Sequence, residues 1–427
     1  MIDTWLQLPL PLRYVWIAFC GVLLGAVVNW AIYTLAFFPR PISPWGPRAG
    51  RPAGRSWKDH LPIVGWWWLR RESELHGRGF WIRPLLIECS FGLALCGFYH
   101  AMVIEWGFVD PSLAAFPRRL GEVSQQLDQW LNVIFSVHTL LAALMLAATF
   151  IDFDEMMIPD WILVPGTLLA LMIASWTHQM WMPVVTDNLS GVQRIEPVFF
   201  HVPGGYNPWW DGWRGLAVAC GLYSGWCFAL ADRRLIFRRG LKKAVRYFFG
   251  AMVRRGAWKI LLSLWLVGLV GIVAVYALGD LPWRSLLTSL VGMALGGGAV
   301  WGVRLVAGAA VKREAMGFGD VLLMAMIGAF VGWQAALLAF AIAPITAIAI
   351  VFVQFLITRN RVVAFGPYLC AGTVVTILLW PTVWLRFGEP MSFLGPWLYW
   401  IYLGMLGLMG VMLMVWRWLK EAILGRG

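Results

Sequence analysis

The sequence predicts an all-α protein that crosses a membrane with about ten or eleven helices. Of its 427 residues, 60% are hydrophobic and 13% are charged, and the mean hydropathy is +0.71. Globular domains carry about 25% charged residues, so this composition excludes a water-soluble domain. Apolar stretches long enough to cross about 30 Å of hydrocarbon recur along the whole chain. They lack the alternating pattern of a membrane β-barrel, and a backbone in lipid must form its hydrogen bonds internally, so the stretches are predicted to be helices.

The predicted spans follow one another along the chain, separated by polar or basic loops. The full-length spans are residues 12–37, 84–108, 130–151, 160–181, 213–232, 259–279, 287–311, 333–357, 363–384 and 396–416. A shorter stretch, residues 319–332, is expected to cross as well because its neighbours shield it. The N-terminal MIDTWLQLPLPLR lacks the basic start and cleavage site of a secretory signal, so we expect the first span to be retained.

The positive charge of the chain is concentrated in a few loops. The net charge is +12, and 26 of the 34 Lys and Arg residues lie in the stretches 39–83, 233–259, 311–318, 358–361 and 417–426. If these stretches are cytoplasmic, the positive-inside rule places the N-terminus outside and the C-terminus inside. Basic patches beside a membrane face anionic lipid headgroups, so we expect membrane lipids and not nucleic acid as partners.

Five regions with different charge and spacing of spans are predicted. They are residues 1–129, with two spans and a basic loop; 130–181, with the next two spans; 182–286, with two further spans and a basic amphipathic segment at 233–258; 287–384, with the spans around a second acidic motif; and 385–427, with a last span. The six cysteines lie in apolar segments and form no CxxC pair, so neither a zinc site nor a redox pair is indicated.

Four carboxylates follow the third predicted span directly, where residues 150–160 read FIDFDEMMIPD. They are Asp152, Asp154, Glu155 and Asp160. Ionisable side chains at membrane depth are costly and indicate a function. The distribution of positive charge places this cluster at the cytoplasmic rim of the membrane.

A second acid lies at the same depth. Residues 312–323 read KREAMGFGDVLL, which places Asp320 after Gly317 and Gly319 at the cytoplasmic end of the short span. Taken singly, each acid has an ordinary explanation: turn chemistry for Gly-Asp, and a helix-end charge or an arginine partner for Asp152. Because Asp152 and Asp320 lie on different helices at one depth, they are predicted to meet.

Two neighbouring carboxylates hold one proton and a water between them, because they do not both ionise readily. In aspartyl proteases one carboxylate accepts a proton from the attacking water while the other, protonated, polarises the peptide carbonyl. Such a pair titrates as a unit, so neither role is assigned to one residue. Gly317 and Gly319 are expected to leave room for a substrate backbone beside the acid.

Motifs in chain order resemble those of the bacterial type IV prepilin peptidases, which are GxGD-type intramembrane aspartyl proteases. IDFDEMMIPD resembles their first acidic motif, and REAMGFGD resembles their GxGD motif. Further similar stretches are GVLLGAVVNWAIY (21–33), SPWGP (43–47), WKDHLPIVGWWWLR (57–70), RPLLIE (83–88), IGAFVGW (327–333) and FGPYLCAG (365–372). The resemblance covers roughly residues 12–181 and 287–384. Residues 182–286 are therefore expected to be an insertion with two extra spans that has no counterpart in the family, and the span 396–416 is expected to be a further addition.

The resemblance implies an endopeptidase of the bacterial inner membrane that removes basic leader peptides from prepilins or pseudopilins at the cytoplasmic face. It implies Asp152 and Asp320 as the catalytic acids, with no cofactor for peptide cleavage. Asp154, Glu155 and Asp160 are then supporting residues, expected to be solvated helix-end charges and an N-cap for the next span. Asp154 and Glu155 are also expected to attract the basic leader electrostatically.

The sequence departs from the family in its first cytoplasmic loop. Relatives commonly carry two CxxC pairs there that bind zinc, whereas this loop has Ser73 and His76 where the second pair would fall, so no structural metal is predicted. Many relatives also methylate the new N-terminus of the pilin with S-adenosylmethionine. The missing cysteines leave this activity open, although Glu88 and the WKDHLP stretch remain.

A second departure concerns the charge beside the GxGD motif. Relatives often have a lysine two residues after the motif's aspartate, where this chain has Leu322. Lys312 and Arg313 are the candidate substitutes. Besides the peptidase, with or without methyltransferase activity, a transporter that uses the two acids as a proton or cation site and a non-catalytic assembly factor stay open. No inverted repeat that would favour a transporter is visible in the sequence.

Overall fold

The computed structural model describes residues 2–45, 55–109, 122–187, 193–230, 257–312, 316–358, 364–395 and 397–424. The described helices in chain order are α1 (Ile2–Leu6), α2 (Leu10–Thr34), α3 (Val64–Leu69), α4 (Ser73–His76), α5 (Ile82–Tyr99), α6 (Glu122–Glu155), α7 (Asp160–Trp176), α8 (Trp213–Leu230), α9 (Ala257–Leu278), α10 (Asp280–Val311), α11 (Phe318–Thr358), α12 (Gly366–Leu378), α13 (Trp380–Val383), α14 (Glu389–Phe393) and α15 (Trp397–Leu424). Strands β1 (Pro183–Asp187) and β2 (Gln193–Pro197) form an antiparallel pair. The predicted basic segment 233–258 lies almost entirely outside the described residues.

The predicted class, a polytopic helical membrane protein, is confirmed. In the described ranges, seven helices are long and apolar enough to cross a membrane, or eight if the bent pair Gly366–Leu378 and Trp380–Met391 counts as one span. The two halves of that pair meet at 94°. Helix α7 is shorter, because its 17 residues give about 26 Å at 1.5 Å per residue. It therefore covers only part of the predicted span 160–181.

The boundary predicted between residues 319–332 and 333–357 coincides with a break at Gly332. This residue has φ 81° and ψ 167°, a backbone conformation that a helix does not contain and that glycine adopts without strain. The long helix α11 is therefore two helices that meet at Gly332. The first, residues 318–331, is too short to cross alone, and all of its residues from Asp320 onward are buried among neighbouring helices.

Helices α10 and α11 form the centre of the bundle and approach each other through small residues. Gly292 and Gly328 lie against each other's backbone, and a methyl group on Gly296 would lie 2.6 Å from the carbonyl oxygen of Met324. Small residues allow membrane helices to pack at such close range. In the glycine-rich stretch 295–302, Gly296, Gly297 and Gly302 pack closely against neighbouring helices, whereas Gly298 faces open space.

The segment between α7 and α8 folds against the end of the bundle that contains Gly332. Its backbone is held by side chains of α10 and α11: Trp333 Nε1 donates to the Phe200 carbonyl at 2.8 Å, and Thr288 Oγ1 accepts from the Phe200 N–H at 3.1 Å. Gln334 Nε2 donates to the Phe199 carbonyl at 2.8 Å. These bonds satisfy buried backbone groups that water does not reach. The sequence predicts only an external loop here and not the β1–β2 hairpin.

Candidate active site

Asp152 lies in the last turn of α6 and is 5% exposed. The same turn contains Asp154 and Glu155 and no basic residue. Negative charge at a helix C-terminus is unfavourable, because the macrodipole already places partial negative charge there. Three carboxylates at this position therefore need partners from other parts of the chain.

The partner of Asp152 is the N-terminus of α12. The backbone N–H of Gly366, the first residue of that helix, donates to Asp152 Oδ2 at 3.1 Å. A side chain at this position would not fit, because a Cβ atom on Gly366 would lie 2.6 Å from Asp152 Oδ2 and 2.9 Å from Ile158 Cδ1. Gly366 thus provides both a donor for the carboxylate and the space that the carboxylate occupies.

Asp320 is the third residue of α11 and is 7% exposed. The backbone N–H of Gly317, the residue before the helix, is close enough to the Asp320 carboxylate to stabilise its negative charge. An acidic side chain in a first helical turn that reaches back to the preceding N–H is one half of a capping box, and it interacts favourably with the helix dipole. The Gly-x-Gly-Asp sequence therefore forms a helix start with its acid held in place.

The structure brings Asp152 and Asp320 together across Ile158. The carboxylates of the two aspartates are close enough to interact electrostatically, and both also act on the Cys370 thiol of α12. Ile158 is buried and packs against the positions of both Gly366 and Gly319. Two buried carboxylates that interact in this way favour a state that shares one proton and can hold a water molecule.

The two glycines of the GxGD motif have different surroundings. A Cβ atom on Gly319 would lie 3.2 Å from Ile158 Cβ, so Ile158 fills the space that was expected to admit a substrate backbone. The expectation for Gly319 is corrected in this respect: the missing side chain lets the 156–159 turn approach α11. A Cβ atom on Gly317 would meet Asp320 Oδ2 at 3.6 Å, an ordinary contact. Of the two glycines, Gly317 is therefore the one that has room for added atoms beside the described residues.

Asp154 and Glu155 hold the first loop against the end of α6. Arg83 Nη1 donates to both carboxylate oxygens of Asp154, at 2.9 and 3.0 Å. Glu155 accepts from the backbone N–H groups of Phe37 and Phe38 at 2.8 and 3.0 Å. Asp154 is exposed, as expected for a helix-end charge, and Arg83 and the chain after α2 reach across to the two acids in addition.

Asp160 differs by one position from its predicted role. Helix α7 begins at Asp160 itself, and its N-cap is Pro159, which has no side chain able to accept a hydrogen bond. Asp160 is therefore an acid in the first turn and not the N-cap. The helix dipole still favours a negative charge there.

Glu88 lies on α5, is 1% exposed and ties the first loop to the membrane helices. Its carboxylate accepts from the N–H of Ile63 at 2.5 Å, from Trp66 Nε1 at 2.7 Å and from Asn29 Nδ2 at 3.0 Å. Three donors compensate for the burial of this charge. Glu88 therefore fixes α3 and the WKDHLP stretch onto α2 and α5.

Ion pairs cross-link the described part of the loop in which relatives carry zinc-binding cysteines. Arg55 and Glu72 form a buried pair at 2.7 Å, and Arg71 contacts Asp59 at 2.6 Å. Burial alone would raise the pKa of Asp59, but hydrogen bonds from Ser56 and Arg71 outweigh it and hold that pKa below its usual range.

The donor set of this loop does not fit a structural zinc ion. His76 contacts Glu72 at 3.4 Å, and no group of three or more His, Cys, Asp or Glu side chains gathers anywhere in the described residues. A structural zinc site needs four ligands, usually cysteine and histidine. The absence of a structural metal stays a prediction.

Two residues at the site have no predicted role. Gly366 falls inside the FGPYLCAG stretch, but a glycine carries no chemical signal of its own. Arg304 lies on α10, and its charge acts on the Asp320 carboxylate. Arg304 interrupts the long apolar run that follows Arg284 in α10, and this is the signal that identifies it. Of the two predicted substitutes for the missing lysine, Lys312 is exposed and Arg313 lies outside the described residues.

Comparison with known proteins gives one family. Residues 258–353 match the type IV leader peptidase family, Peptidase_A24. The chain is 35% identical over 79 residues to the prepilin leader peptidase/N-methyltransferase of Escherichia coli (strain K12), a match that covers 18% of this chain. The chain spans 33% of the length of that relative. No solved structure matches the chain.

The family match contains Asp320 and ends before Gly366, and Asp152 precedes it. It begins inside residues 182–286, a segment for which no counterpart in the family is predicted. The five-region division of the chain stays a prediction. The predicted resemblance to the prepilin peptidases is confirmed, on a segment that carries the GxGD motif and the core helices α10 and α11.

Proposed function

We propose that this protein is a membrane aspartyl endopeptidase that removes the basic leader peptide from type IV prepilins or pseudopilins. The observation that carries the proposal is the meeting of Asp152 and Asp320, two buried carboxylates on different helices. The match of residues 258–353 to the type IV leader peptidase family supports the substrate class.

The proposed mechanism uses the two carboxylates and one water molecule. One carboxylate accepts a proton from the water as the water attacks the peptide carbonyl, and the other donates a hydrogen bond to the carbonyl oxygen. Collapse of the tetrahedral intermediate transfers a proton to the leaving amine. The hydrogen bond from Gly366 orients the Asp152 carboxylate for these steps, and the nearby Gly317 N–H favours the charged form of Asp320.

The proposed substrate is a chain with a basic leader followed by an apolar helix, cut after glycine at the boundary between them. The proposed orientation is that of an inner-membrane protein with its N-terminus outside and its C-terminus inside. Both acids then lie at the cytoplasmic face, as do most of the basic loops. A leader that is held there by anionic lipids would present its cleavage site at the depth of the two aspartates.

Separate Asp152→Asn and Asp320→Asn variants test the proposal. Each substitution keeps the shape of the side chain but removes the shared proton chemistry, so leader removal from a prepilin in membranes should fall by at least about a thousandfold. Asp280→Asn is the matched control, because Asp280 also lies in a first helical turn but is exposed. The proposal would be contradicted if the two aspartate variants cleaved the prepilin as fast as the Asp280→Asn control.

A second candidate activity is N-methylation of the mature pilin with S-adenosylmethionine. The observation that favours it is the name of the Escherichia coli relative, which includes N-methyltransferase. Labelled S-adenosylmethionine added to the cleavage reaction tests it directly. Methyl incorporation into the cleaved pilin would establish a bifunctional enzyme, and cleavage without incorporation would exclude methyl transfer for that substrate.

A further inference from the structure

Arg304 connects α10 to the segment that precedes Asp320. Its Nε donates to the Met316 carbonyl at 3.0 Å, and its guanidinium lies over the Phe318 ring at 5.5 Å from the ring centre. One contact falls just before α11 and the other on its first residue, so the side chain fixes the position from which Asp320 projects. The guanidinium is also close enough to the Asp320 carboxylate to interact with it electrostatically.

The described residues give Asp320 few other charged neighbours. From α6 it faces Asp152, from α10 Arg304, and from α12 the Cys370 thiol, which is neutral when buried. The preceding Gly317 contributes a backbone N–H. Arg304 is therefore the cation that acts on Asp320 within this set.

We infer that Arg304 is a positioning residue for the acid pair: it holds the Met316–Phe318 segment in place and supplies the positive charge that stabilises the singly ionised state of Asp152 and Asp320. This inference rests on the proposed function. The position that is lysine in many relatives does not serve here, because Leu322 is 3% exposed and packs into the core. An arginine suits position 304 better than a lysine, because its planar guanidinium can donate a hydrogen bond to a carbonyl and stack on an aromatic ring at the same time.

The inference predicts a change in pH dependence and not only in rate. An aspartyl pair is active while it holds one proton, so its activity against pH is bell-shaped. Without the neighbouring positive charge, the acid pair loses each of its two protons at a higher pH. The whole curve of activity against pH therefore moves towards alkaline pH. An opposite charge beside a buried carboxylate displaces its titration by about one pH unit or more. A purely structural residue would lower the rate at every pH and leave the optimum unchanged.

The experiment compares four proteins in membranes with one prepilin substrate. Arg304→Gln removes the charge but keeps a donor for the Met316 carbonyl, and it should shift the optimum by about one unit and lower the rate below that optimum by about tenfold. Arg304→Lys keeps the charge and should keep the optimum. Arg417→Gln is the matched control, because Arg417 also donates to a carbonyl of α10, that of Ala310 at 2.6 Å. It should behave as the unaltered protein.

The outcomes separate this inference from the proposed function. If Asp152→Asn and Asp320→Asn abolish cleavage while Arg304→Gln keeps the original rate and optimum, the inference about Arg304 is overturned and the function stands. If the two asparagine variants cleave normally, both are overturned. If Arg304→Gln does not accumulate in the membrane, Arg304→Met provides a second neutral variant with a side chain that suits an apolar helix. An unshifted optimum in that variant overturns the inference equally.

Discussion

Replacement of Gly366 by alanine should disable the site without unfolding the protein. The new methyl group would lie 2.6 Å from Asp152 Oδ2, and the two atoms must separate by about 0.4 Å to reach the 3.0 Å that real contacts of this kind rarely fall below. Asp152 Oδ2 and Ile158 Cδ1, the nearest atoms, both end side chains that can rotate away. The carboxylate therefore moves away from the Gly366 N–H, and the fold adapts locally.

The expected loss is about a hundredfold in the rate of leader removal. A hydrogen bond to a charged group contributes about 1.5–3 kcal/mol, and a displaced reacting group costs about a hundredfold in rate. The assay is cleavage of a prepilin in membranes, together with the thermal unfolding midpoint of the purified protein. Gly298→Ala is the control, because nothing lies within 4 Å of the added methyl group. Gly366→Ala cleaving within about threefold of the unaltered rate would refute the role given to this contact.

Three further predictions concern groups outside the acid pair. Glu88→Ala removes the acceptor of the Ile63 N–H and of Trp66 Nε1 and one of the two acceptors of Asn29 Nδ2, so we expect a loss of about 3 kcal/mol of stability and faster proteolysis of the 57–69 loop, whereas unchanged proteolysis would contradict the anchoring role. Burial, reinforced by the charge of Arg284, lowers the pKa of His201 to about 4. Below about pH 6.5 the unfolded chain binds a proton at this histidine that the folded protein does not bind. The free energy of unfolding is therefore at its full value above this pH and falls by on the order of 1 kcal/mol as pH drops towards 4. His201→Gln should flatten the dependence of the unfolding midpoint on pH. A double Asp154→Asn, Glu155→Gln variant should lose cleavage of basic and neutral leaders alike if these acids only hold the first loop, and of basic leaders selectively if they also attract the leader.

The acid pair could be predicted from the sequence because of a contrast in polarity. Carboxylates beside long apolar runs stand out, and the positive charge of the loops gives both acids the same depth. The break at Gly332 was predictable for a related reason, since two apolar runs of unequal length meet there. These features depend on local sequence and on the thickness of the membrane.

The contacts that hold the acids could not be predicted in this way. Gly366 lies 214 residues from Asp152, and a backbone N–H is present in every residue except proline, so composition does not reveal which one donates. The contacts of Asp154 and Glu155 with Arg83 and the Phe37 N–H depend likewise on how α5 and the first loop pack against α6. The β1–β2 hairpin escaped prediction because its strands have only five residues each and little alternation.

The two acids depend on helix polarity in opposite ways. Asp320 stands at the N-terminal end of its own helix, so the dipole of α11 itself favours its negative charge. Asp152 stands at the C-terminal end of α6, where its own helix opposes the charge, and its compensation comes from the N-terminus of α12. Loss of the contact between α6 and α12 should therefore impair Asp152 while Asp320 keeps its partners Gly317 and Arg304. For this reason the proposed activity requires the chain after the GxGD motif as much as the two acidic motifs themselves.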